Sequence, residues 1–93
     1  MYVEIAVALL SNAIKVYGKL KKILDKYGAS NIREILSGIR NGRFAEHPTY
    51  EDYLEARSYE LELKELLGRL DKIIAEMRRV LSPDDNTQGV CFN

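Results

Sequence analysis

His47 is the chain's one histidine, the side chain whose ordinary pKa lies nearest neutrality. Seven residues before it stands Arg40, in the run Arg40-Asn41-Gly42-Arg43-Phe44-Ala45-Glu46-His47. An imidazole with a cation upstream is a combination that acid–base chemistry draws on. Three other groups could do chemistry. Glu51, Asp52, Glu55, Glu62 and Glu65 are acids that a divalent metal could use. Lys15, Lys19, Lys22 and Lys26, with Lys21 nearby, form a basic stripe that Arg40 and Arg43 could extend into a phosphate-binding patch. Cys91 is the one thiol: it cannot make an internal disulfide and is a poor metal site, which leaves a chain-to-chain disulfide as its one bridge.

The Arg40–His47 run resembles the R-x4-6-H signature of HEPN-type helical ribonucleases, in which a polar residue often follows the Arg. The resemblance covers about eleven residues. It implies that an Arg–His pair from each subunit would cleave RNA at a dimer interface, with Arg40, Asn41 and His47 carried over. Tyr50 would stand for an aromatic found downstream in some members. The chain departs from that family by its short length and by having one long helix before the motif. Gly42 and Pro48 also put the motif in a loop. The residues themselves read as a solvated loop histidine ahead of an X-Pro bond, and no catalytic residue is assigned.

Glu62-x-x-Glu65 is similar to half of the magnesium motif of MazG-type nucleotide pyrophosphatases. The other half fails, because Arg79 stands three residues after Glu76. Ferritin-like di-iron sites need E-x-x-H, and His47 has Phe44 at that spacing. A dimeric all-α chorismate mutase has a similar helix count, but its chemistry needs cations inside the bundle. Here the core stripes of both long helices hold no Lys or Arg. The acids therefore read as a solvated face, with no metal and no cofactor. The lysines read as facing those acids. Without interleaved aromatic residues they make no base-stacking surface, and a formal net charge of zero gives no general attraction to nucleic acid or membrane.

The elements that would carry these residues are helices. The apolar residues Ala56, Tyr59, Leu63, Leu66, Leu70, Ile73, Met77 and Val80 recur at steps of three and four. They predict a helix over 49–81, roughly 50 Å long at 1.5 Å per residue. Tyr2, Ala6, Leu9, Ala13, Val16, Leu20, Ile23 and Tyr27 predict another over 2–27, with Gly28 as its left-handed stop. Between them Ile32, Ile35, Leu36 and Ile39 predict a short helix over 31–41, begun by an Asn31-x-x-Glu34 cap and ended by Asn41-Gly42. Thr49 is the expected N-cap of the last helix, and Gly18 is expected to mark a close helix contact. Residues 1–83 form one helical domain, and 84–93 are expected to be a disordered tail.

The fold class is therefore all-α, two long helices in an antiparallel hairpin with a short connecting helix. Antiparallel packing sets Lys19 and Lys26 opposite Glu55 and Glu62. Residues 1–29 carry five lysines against Glu4 and Asp25, and residues 49–66 carry six acids against Arg57 and Lys64. Beside the core stripes lies a second set, Val3, Leu10, Tyr17 and Leu24 with Glu60, Leu67, Ile74 and Leu81. With the core stripes as the a and d positions of a heptad, this set holds the e positions, and in an antiparallel hairpin both halves of it fall on one flank. Leaving its seven apolar members wet would forfeit on the order of 10–20 kcal/mol at most, more than the net stability of most domains. The short helix can hide only part of that flank. The sequence thus predicts a homodimer, two hairpins making a four-helix bundle around Val3, Leu10, Tyr17, Leu24, Leu67, Ile74 and Leu81. The function expected is that of a self-associating adaptor or assembly protein without catalytic activity. A ribonuclease using Arg40 and His47, and a nucleic-acid module using the lysines, are the alternatives.

Single-cysteine usage fits a reducing cytoplasm. One Gln among abundant Lys, Arg, Glu, Ile and Leu leans towards a thermophile. Tyr2–Leu10 is apolar apart from Glu4, but lacks the basic start of a signal peptide and the length of a membrane span.

Overall fold

A computed structural model of the protein describes residues 1–81. The expected tail at 84–93, with Cys91, lies outside the described residues. Three helices follow one another: α1 Tyr2–Lys26, α2 Ile32–Arg40 and α3 Glu46–Leu81. The long pair packs antiparallel. Tyr2 and Val3 lie beside Met77 and Leu81 at one end, and Lys26 reaches Asp52 at the other.

The sequence sets each boundary by hydrogen-bond need. At the end of α1, Gly28 takes φ +62. The Ala29 N–H then donates to the Leu24 carbonyl at 2.9 Å, and the Gly28 N–H to that of Asp25 at 3.2 Å. These two bonds satisfy carbonyls that the helix leaves orphaned. The same device ends α2. Gly42 at φ +81 lets the Arg43 N–H donate to the Gly38 carbonyl at 2.7 Å. At the start of α2, Asn31 Oδ1 accepts from the Glu34 N–H at 3.2 Å, and Glu34 Oε1 accepts from the Ser30 N–H at 2.8 Å. The reciprocal bond reaches one residue further back than in a standard capping box.

Two local expectations are corrected. Thr49 does not cap α3; it is a buried residue inside it. The helix is interrupted at His47, which is extended at φ −116, ψ 135. Pro48 has no N–H to lose in a first turn, so regular helix resumes at Pro48. Gly18 marks no close contact: a Cβ there would meet nothing within 4 Å.

The core sits at the loop end, where α2 joins the hairpin. Leu20 and Leu24 of α1, Ile32 and Ile35 of α2, and Tyr53 and Ala56 of α3 form its buried cluster. Phe44, from the α2–α3 connection, lays its ring on Gly38 and meets the Tyr27 ring edge-on at 5.1 Å. Towards the other end the buried set thins out, Ala13 being its last member on α1. The Cα envelope measures 58 × 27 × 15 Å. Among the described residues only α2 packs on this hairpin, so outside its reach each flank faces outward.

Candidate functional site

Arg40 is exposed in the last turn of α2. Asn41, just past it, turns its side chain back so that Oδ1 accepts from the Arg43 N–H at 3.2 Å, which serves the turn. His47 stands in the interruption of α3 with 73% of its side chain exposed, and its Nδ1 lies 2.9 Å from Glu51 Oε2. Among the described residues no hydrogen bond or ion pair links Arg40 to His47. Tyr50 stacks on Tyr53, with centroids 6.0 Å apart. The Glu51 carboxyl is held below its ordinary range, first by its own backbone N–H and then by His47. The arrangement orients an imidazole on a carboxylate in open solvent.

The acids and lysines of the long helices are mostly spent on neighbours. Lys21 pairs with Asp25 at 2.7 Å, Arg69 with Glu65 at 2.9 Å, and Arg79 with Glu76 at 2.7 Å. Lys26 pairs with Asp52 at 2.8 Å rather than with Glu55 or Glu62. Lys19 stands over the Tyr59 ring, 5.8 Å from its centroid. The opposition of basic α1 and acidic α3 is as expected in sign, but the partners differ. Glu55 is occupied by the Tyr59 hydroxyl at 2.7 Å, and Asp52 offers a more sheltered carboxylate. Among the described residues no group of three or more His, Cys, Asp or Glu gathers closely enough to hold a metal ion.

Asp52 joins α1 to α3. It accepts from Lys26 Nζ and also from the Tyr27 hydroxyl at 2.5 Å, with 20% of its side chain exposed. Those two donors, Lys26 first, hold its carboxyl below the usual range against the opposing effect of burial. A carboxyl whose pKa is depressed by folding adds stability that is complete above its unfolded value, about pH 4. That stability is lost as pH falls through the lower folded value. Asp52→Asn should therefore cost about 1 kcal/mol at neutral pH and flatten the acid limb of a stability-versus-pH curve. Equal acid sensitivity of the two proteins would count against this linkage.

The feature without a partner is apolar. On the flank that carries the e positions, Val3 is 65% exposed, Leu10 48%, Tyr17 51%, Leu67 43% and Leu81 81%. Ile74 is half-buried. Leu24, expected in the same set, is covered by α2 within the chain, as is Tyr53 across from it. Sequence reasoning missed two members, Val7 at 62% and Ile14 at 63% exposure. Their signal was the spacing Val3, Val7, Leu10, Ile14, Tyr17, a second run of fours and threes on α1. A shallow groove lined by Leu10, Ala13, Ile14, Tyr17, Leu63 and Leu67 lies along it. Among the described residues no helix is long and apolar enough to cross a membrane.

The family model for the uncharacterized protein MJ0235 family matches residues 5–80, and the chain belongs to that family. No curated protein and no solved structure matches it.

Proposed function

We propose that this member of the MJ0235 family is a self-associating helical interaction protein, acting in the cytoplasm by binding and not by catalysis. Two hairpins join along the flank that carries Val3, Leu10, Tyr17, Leu67, Ile74 and Leu81, making a four-helix bundle that presents the 41–45 connections outward. The observation behind this reading is the row of large apolar side chains left in water by a hairpin that α2 covers at one end only. Contiguous exposed apolar surface on that scale marks an interaction site on a soluble protein.

The mass in solution tests it. Light scattering on the purified protein should return twice the chain mass of 10.7 kDa. Leu10→Glu or Ile74→Glu should return the monomer mass, because a carboxylate in the seam would have to be desolvated without a partner. A monomeric parent protein would refute the reading. So would RNA cleavage by the purified protein that disappears in His47→Ala and Arg40→Ala.

A further inference from the structure

The bare strip is divided unequally between the two long helices. On α1 the exposed residues Val3, Val7, Leu10, Ile14 and Tyr17 make a seam two residues wide, beside the one that packs on α3. On α3 the matching flank alternates, with Lys64, Asp71 and Arg78 interleaved among Leu67, Ile74 and Leu81. A helix laid on the α1 seam meets hydrocarbon across its width. A helix laid on α3 has to skirt or desolvate charge at every second turn.

The short helix imposes a second condition. α2 occupies this flank at the loop end, where it covers Leu24 and Tyr53. A groove lined by Tyr17, Leu24, Ala29, Ile32, Leu63 and Leu67 runs from the edge of α2 into the bare region. Two copies laid flank to flank with like ends together would set α2 against α2. That would hold the strips apart by about two helix diameters, ~20 Å. Turning one copy end for end brings the bare halves together and leaves each α2 beyond the overlap.

We propose, building on the self-association reading above, that a second copy covers this strip end for end, with α1 antiparallel to α1 about a dyad beside Leu10. The residue spacing suits such an isologous contact. Leu10 meets Leu10 of the partner subunit, Val7 meets Ile14 of the partner subunit, and Val3 meets Tyr17 of the partner subunit. At the observed exposures the five α1 side chains and Leu67 offer roughly 600 Å² per copy, about 1,200 Å² for the pair, the lower edge of a stable specific interface.

Disulfide trapping tests the arrangement in the full chain carrying Cys91→Ser, which removes its one thiol. After light scattering has established the dimer mass, Leu10→Cys should cross-link to itself on mild oxidation. Val3→Cys and Tyr17→Cys chains should cross-link when mixed and not separately, because a bridge needs Cβ atoms about 4 Å apart. A dimer in which Leu10→Cys fails to cross-link to itself, or pairs with a Leu67→Cys chain instead, overturns the end-for-end arrangement and leaves self-association standing. A monomer by light scattering, before any cysteine is introduced, overturns both.

Discussion

Ile35→Ala should lower stability by about 2–5 kcal/mol, the usual range for deleting a large aliphatic side chain from a closed core. Ile35 is fully buried, the largest side chain of the described residues to be so. It lies in one cluster with Leu20, Leu24, Ile32, Tyr53 and Ala56. Its helix has nine residues, too few to persist by its own hydrogen bonds. Removing the isoleucine therefore opens a cavity and also loosens α2 from the hairpin, uncovering Leu24 and Tyr53. A domain of this size has on the order of 5–10 kcal/mol to lose, so the variant should sit near its unfolding threshold. Urea unfolding at fixed protein concentration measures the change, and Ile35→Val should cost about 0.5–1.5 kcal/mol on the same scale. A loss under 1 kcal/mol for the alanine would mean that α2 does not hold the core as described.

Gly38→Val should cost about 2–4 kcal/mol, and even Gly38→Ala should destabilise. Helix propensity alone argues for the opposite sign, since alanine in place of a helical glycine gains about 0.5–1 kcal/mol. Gly18 is the control: it is helical and exposed with open space around it, and Gly18→Ala should stabilise by that amount. At Gly38 a Cβ would fall on Cδ2 and Cε2 of Phe44. The ring would have to leave, losing its edge contact with Tyr27 and the Arg43 guanidinium held 5.0 Å from its centroid. An aromatic contact of this kind contributes about 0.5–1.5 kcal/mol beyond the area it buries, enough to outweigh propensity. In a Phe44→Ala background the obstacle is gone, and Gly38→Ala should turn stabilising. Thermal unfolding of the four proteins in that cycle decides the matter. A Gly38→Ala variant more stable than the parent would remove Phe44 from its assigned place.

The two glycines show what a sequence can and cannot carry. Both break a helical pattern in the same way, and nothing in the letters says that one faces water and the other a ring from a loop. Phe44 belongs to no periodic run, so its destination had no signal. The long stripes, the antiparallel pairing and the stops at Gly28 and Gly42 were readable, because each follows from repeat length or from backbone freedom. Periodicity assigns a residue to a face without naming what covers that face. Leu24 and Leu10 hold the same heptad position, yet α2 reaches the first and not the second. Charge partners were predictable in sign alone. Which acid Lys26 finds depends on the reach of one side chain and on Tyr27 sharing the same oxygen. The Arg40–His47 spacing carried no sign that Arg40 would stand exposed at the end of α2 while His47 turned to Glu51.

Because the buried cluster lies where three helices meet, cohesion in this molecule is graded along its length. Beyond Ala13 the beginning of α1 and the finish of α3 have only each other to hold. Opening should cost least at those tips and most around Ile35, as in a clothes peg gripped at its spring. Substitutions at the tips can then remodel their surface with little consequence for the hub that keeps the chain folded.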